Sequence, residues 1–489
     1  MNLLLQGHSF RYEMERLTMM FFPMEKIHWY EDTAPAGEPC VLARAERCPE
    51  GLRLTAGLQD GIHRPDTGFL PGNPPEGETE LALGRLLYGA LCRATGISPP
   101  WGILTGVRPV KLLRELDASC PSPAEAEAEF ARRYLVSPGK VALARNTEGY
   151  EAAILAENRP LDFSLYVSIP FCPTRCRYCS FVSHGMEQAR RLIPAYLDTL
   201  CRELEDTAQI ARDLGLRLTS VYFGGGTPTT LSHTELDRLM GRVEECFDLS
   251  AITEYTVEAG RPDTITKEKL RVIRRHGAGR ISVNPQTFHN EILRNIGRDH
   301  TVEQFLESYH MARKMDFDCI NVDLIAGLPG DNLEGFCHSI DSAVALAPEN
   351  ITVHTLSIKR AANLGGENRE VLRREYGMAV DMVDYAYRRL DGAGYHPYYL
   401  YRQRNTAGNL ENTGFAREGK DGRYNVFIMA ETQTIFAAGA GAVTKAVHPV
   451  TGEVIRVYNH KYPYEYMARY EELLERKKQL YSFFEHLPG

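Results

Sequence analysis

The stretch SLYVSIPFCPTRCRYCSF (164–181) runs from a strand-like alternation straight into three cysteines within eight residues. Cys172, Cys176 and Cys179 follow C-x-x-x-C-x-x-C spacing on what reads as a loop after the strand. Three thiolates on one short loop can wrap one metal centre. A structural zinc site normally closes with four ligands, and no fourth Cys or His completes a zinc-ribbon set. His184 is near, but a lone histidine is more often a surface or hydrogen-bonding residue. Iron–sulfur clusters are held by cysteine thiolates. Three ligands on a four-iron cube leave one iron open, as catalysis requires. The place on the chain adds weight, because βα folds put active sites at the C-terminal ends of strands.

Downstream, strand-like and helical runs alternate. The strand candidates after 164–171 are LTSVYFGG (218–225), EYTVEA (254–259), RISVNPQ (280–286), CINVDLIAGL (319–328) and ENITVHTLSI (349–358). Between them, Ile193, Leu197, Leu200, Leu204, Ala208 and Ala211 recur at helical spacing with Pro194 near the start. SHTELDRLMGRVEECF, TKEKLRVIRRHG and TVEQFLESYHMARKM follow the same logic. Six βα units in series imply an α/β fold, a parallel sheet with helices outside. The sheet is either open and doubly wound or a full or partial barrel.

The strands carry a second signal. One face is apolar: Leu165, Val167, Ile169; Tyr255, Val257; Ile281, Val283; Ile320, Val322, Leu324. The other carries Tyr166, Ser168, Thr256, Glu258, Asn284, Gln286, Asn321 and Asp323. Buried polar groups are costly unless partnered. Their repetition on the inner face suggests a ligand-filled interior, the competing explanation being an internal hydrogen-bond network. In YFGGGTPT (222–229) three glycines end a strand and let backbone approach a ligand closely. A tight βα turn would explain them as well. The run matches neither a phosphate-binding G-x-x-x-x-G-K-[ST] loop nor the G-x-G-x-x-G of a dinucleotide fold.

The chain has 489 residues, room for about three structural units. Apolar residues make up 43% and charged residues 25%, ordinary for a globular protein. With 56 basic and 64 acidic residues the net charge is -8, which argues against nucleic-acid binding through bulk positive charge. No apolar run reaches the length of a membrane span. The start MNLLLQGHSFRYE lacks the pattern of a secretory signal, so a cytoplasmic protein is expected. The remaining cysteines, Cys40, Cys48, Cys92, Cys120, Cys201, Cys246, Cys319 and Cys337, are scattered and read as small hydrophobes or inert thiols. The expected organisation is a small α+β unit (1–95), a helical connector (96–160), the βα series (161–392) and a Tyr-, Asn- and Gly-rich C-terminal domain covering the substrate (393–489).

The cysteine triplet with its aromatic Tyr178 and the GGGTP run resemble the radical S-adenosylmethionine (SAM) superfamily. Within it, SLYVSIPFC, VEAGRPDTI, ISVNPQTF, IGRDHT and NVDLIAGLPG resemble the oxygen-independent coproporphyrinogen III oxidase group. WGILTGVRPVKLL before the core, and YYLYRQRN and GNLENTGF after it, resemble its coproporphyrinogen dehydrogenase type. The resemblance covers most of the chain. It implies a partial (β/α)6 barrel with an N-terminal α+β and helical extension and a C-terminal domain. It also implies a 4Fe-4S cluster on Cys172, Cys176 and Cys179, with SAM bound at the open iron and cleaved by one electron to a hydrogen-abstracting radical. Tyr166, Gly225 and Glu258 match SAM contacts. Some members hold a second SAM, whose contacts map to Tyr178, Gly226, Thr227, Gln286, Arg298, Asp323 and Leu356.

The implied reaction is oxidative decarboxylation of two propionates of coproporphyrinogen III, giving protoporphyrinogen IX in haem biosynthesis. It needs a tetrapyrrole substrate and an external electron donor and acceptor. Arg261, Arg280, Lys359, Arg360 and Arg402 are candidate partners for substrate carboxylates. The chain departs from the best-known members in two places: Phe181 replaces a fourth cysteine and Ser168 a histidine. Two rival readings belong to the same superfamily. One is a haem-binding chaperone, whose HN-x-x-Y-W motif is replaced here by RQRNTAGNLEN. The other is a methyltransferase using two SAM molecules.

Overall fold

The structure is a computed structural model that describes residues 1–23, 25–106, 108–179, 184–356, 369–403 and 406–485. The chain divides into two compact units. The larger comprises Gly149–Glu367, Asp381–Tyr399 and Thr413–Gly489 and carries the cysteine loop. Its strands are β1 (Asp162–Ile169), β2 (Arg217–Gly225), β3 (Glu254–Glu258), β4 (Arg280–Ser282), β5 (Cys319–Ala326) and β6 (Asn350–Thr355). Each pairs in parallel with the next, in chain order. The crossovers contain α1 (Met186–Asp213), α2 (His233–Cys246), α3 (Lys267–Arg275), α4 (Val302–Arg313) and α5 (Leu333–Leu346). This is the six-stranded partial barrel, so the open doubly wound alternative falls away.

The sheet does not close on itself. C-terminal residues continue it at both edges. The end of β7 (Glu411–Ala416) lies antiparallel on β6, and β8 (Thr434–Ala438) lies parallel on β1.

The alternation read from the sequence holds along the strands. Leu165, Val167, Ile169, Val257, Ile281, Ile320, Val322 and Leu324 are each exposed by 1% or less, so this face belongs to the core. Ser232, Thr266, Thr301 and Asn332 cap four of the crossover helices through side-chain oxygens. Ser232 with Glu235 and Thr301 with Gln304 form full capping boxes. Each cap fixes where the loop above a strand end stops and the helix begins.

Two expectations are corrected. The run 280–286 is not one strand, because β4 ends at Ser282. Pro285 has no N–H to continue a ladder, and Gln286 turns to φ +68°. Gln286 then bridges to β5 through its N–H on Asp323 O and its carbonyl on Ile325 N. Pro194 lies inside α1 rather than in its first turn, since the helix begins at Met186. The polar residues before Ile193 carry no apolar rhythm that would announce the earlier start.

The smaller unit comprises Met1–Glu148, Asn368–Val380 and Leu400–Asn412. Five strands lie in the order His28–Tyr30, Asn2–Gln6, Cys40–Cys48, Gly51–Gln59, Asp66–Pro71. Helices Arg11–Phe21 and Glu76–Thr95 pack on the sheet through Phe21, Leu83 and Leu87 against Leu3, Val41 and Leu54. Further helices follow from Pro109. A buried ion pair joins Lys140 to Glu411 at 2.8 Å, and Trp101 Nε1 donates to the same carboxylate at 2.6 Å. The eight scattered cysteines form no disulfide, and Cys40, Cys201 and Cys319 are buried. Among the described residues no helix is long and apolar enough to cross a membrane.

Candidate active site at the cysteine loop

β1 ends at Ile169, and the chain passes through Phe171 and Cys172 into the loop that carries Cys176 and Cys179. The glycine run at the end of β2 is stitched to the start of this loop. Gly226 N donates to Ile169 O at 2.8 Å, and Thr227 N to Phe171 O at 2.7 Å. Gly225 has φ +107°, a conformation that L side chains rarely adopt. A Cβ at Gly226 would lie 2.5 Å from Phe171 O and 3.0 Å from Cys172 Sγ. Glycine here is therefore required by the packing of backbone against the cysteine loop. Thr227 Oγ1 lies 3.6 Å from Cys172 Sγ.

Two arginines grip the loop from the far strands. Arg261 follows β3, is buried, and pairs with Asp263 at 2.8 Å. It donates to Thr174 Oγ1 at 3.1 Å and reaches Cys176 Sγ at 3.6 Å. Arg298 is also buried. It donates to Gly260 O at 2.6 Å, Asn284 O at 2.9 Å and Tyr178 Oη at 3.2 Å, and lies 3.9 Å from Cys176 Sγ. Its Nε has no partner among the described residues. Two guanidiniums thus stand within 4 Å of one buried cysteine sulfur. The neighbourhood is dry and cationic: burial, and then the Arg298 charge, push His300 down to about 3. Burial holds the Tyr178 phenol protonated, with Arg298 pulling the other way.

Below the glycines, the inner face of the strands carries two polar groups. Tyr166 and Tyr222 lie side by side in register, ring centroids 6.1 Å apart. Tyr222 donates to Glu258 Oε1 at 2.5 Å. Burial raises the Glu258 carboxyl to about 7, against the Tyr222 hydrogen bond. Across β4 and β5, Asp323 accepts from Asn284 and from Asn321, each at 2.7 Å. His354 Nε2 stands 3.6 Å from Asp323, and Thr352 donates to Asn321 at 2.9 Å. The internal network considered from the sequence thus exists around Asp323, while Glu258 has a single side-chain donor among the described residues. Leu356 is buried and shares an apolar cluster with Ile325, Ile296 and Tyr178.

The structure therefore brings Tyr166, Cys172, Gly225, Gly226, Thr227 and Glu258 together on one side. Cys176, Tyr178, Arg298 and Leu356 meet on the other, with Gln286 and Asp323 joined through backbone. Ser168 donates to Ala440 O at 3.0 Å. Phe181, Lys359 and Arg360 lie outside the described residues. The remaining carboxylate candidates are already engaged. Arg280 donates to Asn350 Oδ1 and Lys420 O at the opposite end of the strands. Arg402 donates to Leu104 O and Asn409 O within the smaller unit. Sequence reasoning missed Tyr222, which shares the inner face with Gly224 two residues on. It also missed Arg261 as a partner of the cysteine loop.

Among the described residues no three Cys, His, Asp or Glu side chains close around one point tightly enough for a single metal ion. An iron–sulfur cube spreads its ligands wider than one ion does. Three cysteines beside paired arginines are a donor set of the kind such a cluster takes.

Comparison with known proteins agrees with this chemistry. A family model described as "Radical SAM superfamily" matches residues 166–343. The "Oxygen-independent coproporphyrinogen-III oxidase-like protein HemZ" of Bacillus subtilis is 40% identical over 433 residues, 87% of this chain and 86% of that protein. The "Heme chaperone HemW" of the same organism is 31% identical over 62% of this chain and 77% of its own length. The solved coproporphyrinogen III oxidase (HemN) from Escherichia coli is 24% identical, with a TM-score of 0.49 over 66% of this chain and 72% of that one.

Proposed function

The chain belongs to the radical SAM superfamily, in the group of oxygen-independent coproporphyrinogen-III oxidase-like proteins, and from that premise we propose that it converts two propionates of coproporphyrinogen III to vinyl groups, giving protoporphyrinogen IX. When bound, a 4Fe-4S cluster and SAM supply one-electron cleavage of a carbon–sulfur bond and, from it, hydrogen abstraction. Cys172, Cys176 and Cys179 would hold the cluster. Arg261 and Arg298 fix the loop through Thr174, Tyr178 and Cys176. Tyr166, Gly225 and Glu258 would hold SAM, and Tyr178, Gly226, Thr227, Gln286, Arg298, Asp323 and Leu356 a second molecule. Tyr222 orients the Glu258 carboxyl, and Asn284 and Asn321 orient that of Asp323. Packing of Gly226 against Phe171 and Cys172 closes the backbone over the loop and excludes water there.

The observation that carries this reading is the convergence of the cysteine loop, the glycine run and two inward carboxyls at the C-terminal ends of parallel strands. The test is anaerobic incubation of the reconstituted protein with coproporphyrinogen III, SAM, a reductant and an electron acceptor, because each propionate loses CO2, a hydrogen atom and one further electron, followed by mass analysis of the tetrapyrrole. Loss of two carboxyl groups is expected. An unchanged tetrapyrrole beside cleaved SAM would leave the radical chemistry and remove this substrate.

A second reading is a haem-binding chaperone, favoured by the relative named "Heme chaperone HemW". Against it, the segment RQRNTAGNLEN has no histidine. Tight one-to-one haem binding without turnover would select it.

A further inference from the structure

We propose that the exposed arginines around the cysteine loop, Arg175, Arg177 and Arg294, form the docking surface for a small acidic electron-carrier protein. The inference rests on the reading that Cys172, Cys176 and Cys179 hold a redox cluster. Arg175 and Arg177 flank Cys176 in the chain and are exposed, whereas Cys176 is buried. The surface they occupy is therefore one residue removed from a cluster ligand.

Helix Asn290–Asn295 is tied to the same loop. Arg177 N donates to Ile296 O at 2.9 Å, and a Cβ on Gly297 would meet Arg175 O and Arg177 Cγ at 3.6 Å. Exposed Arg294 lies in the last turn of that helix. None of the three guanidiniums makes an ion pair or side-chain hydrogen bond among the described residues. The arginines behind them, Arg261 and Arg298, are instead buried and bonded to protein partners. The same loop thus shows two arginine populations, one that holds the cysteines and one that faces solvent.

The chain carries a net charge of -8. An acidic partner is repelled by most of this molecule and attracted at the arginine rim, which orients the encounter as well as speeding it. Exposed Glu291 and Asp299 on the same stretch temper the field without pairing the arginines. The transfer moves one electron from the carrier's reduced centre to the cluster. No atom or proton changes hands.

The test uses the anaerobically reconstituted full-length protein and, as probe, a flavodoxin, an acidic protein carrying FMN. Association with the oxidised probe is measured without SAM at rising ionic strength. Reduction of the cluster by the reduced probe is followed by stopped-flow absorbance, with reduced methyl viologen, a cation, as the control donor. Wild-type association should weaken as salt rises. The Arg175→Glu/Arg177→Glu variant and the single Arg294→Glu variant should each be reduced by the probe about tenfold more slowly. Reduction by methyl viologen should not slow. Wild-type rates with the probe in both variants, or association indifferent to salt, would overturn the proposal. If the double variant fails to load its cluster, Arg294→Glu, which lies outside the cysteine loop, decides. If methyl viologen cannot reduce even the wild type, it is the cluster reading that fails, and the docking surface with it.

Discussion

Two polar clusters sit on either side of β1, one buried around Glu203 and one in which Glu258 and Asp323 are half-buried, and they differ in how completely they are satisfied. Behind the strand, Glu203 accepts from Asn459 at 2.8 Å, Lys477 at 2.7 Å, Tyr466 at 2.6 Å and Gly439 N at 2.7 Å. Lys477 gives its other protons to Thr207 at 2.9 Å and Ala437 O at 3.0 Å. Both charges have every hydrogen-bonding position filled by protein. In front of the strand, Arg298 keeps an orphaned Nε and Glu258 accepts from one side-chain donor among the described residues. The Glu203–Lys477 pair has nothing to offer a ligand and serves the fold, although Asn459 Oδ1 beside it has no partner among the described residues. An open cluster has been left incomplete at a cost the fold must carry. The contrast separates structure from function without appeal to any relative.

Substitutions can break that contrast, and the largest effect belongs to the cluster itself. Cys176→Ala should leave an iron-poor, colourless protein with no reductive SAM cleavage, read by iron assay and absorbance. Full cleavage activity in that variant would remove the cluster assignment.

Next comes the closed cluster. Glu203→Ala strands Lys477 in the interior and should cost about 3–5 kcal/mol in a urea melt. Asp323→Ala, on the open side, should cost about 1 kcal/mol of stability. It should also lower SAM affinity about tenfold in equilibrium dialysis with the cluster retained. Equal stability losses at Glu203 and Asp323, or unchanged SAM binding, would erase the distinction.

A conditional effect, absent at low pH, comes last. Glu258 is raised from 4.5 to about 7 in the folded protein. Below the unfolded value both states are protonated, and its contribution is fully present. As pH climbs through the folded value the carboxyl must ionise in a half-buried, desolvated site, and that stability is lost. Glu258→Gln should match the wild-type cluster-free protein near pH 4.5. By pH 8 it should be the more stable by about 1–3 kcal/mol, read by thermal melts across pH. Parallel pH profiles would show that this carboxyl is not strained.

Much of this was legible in the residues. Period-two alternation announced both faces of the barrel strands, and the cysteine spacing announced the chemistry. Alternation failed where its physics stops. Pro285 breaks the ladder after Ser282, so Gln286 reaches the inner side through a left-handed kink rather than a pleat. The grip of Arg261 and Arg298 on Cys176 was not legible, because it joins residues 85 and 122 positions apart. The closed Glu203–Lys477 cluster was hidden for the same reason. Lys477 sits in ERKKQ, which reads as a solvated helix face, yet it is 1% exposed.

The seat of β8 against β1 has a consequence for how the molecule is made. Ser168, four residues before Cys172, is held by the carbonyl of Ala440, 272 residues later. Contacts of such separation form late, because the intervening loop must be closed first. A ribosome-bound chain would display its cysteine triplet long before the wall beside it exists. Iron–sulfur delivery to this protein should therefore wait until Ala440 has been made and seated, rather than begin when the cysteines emerge.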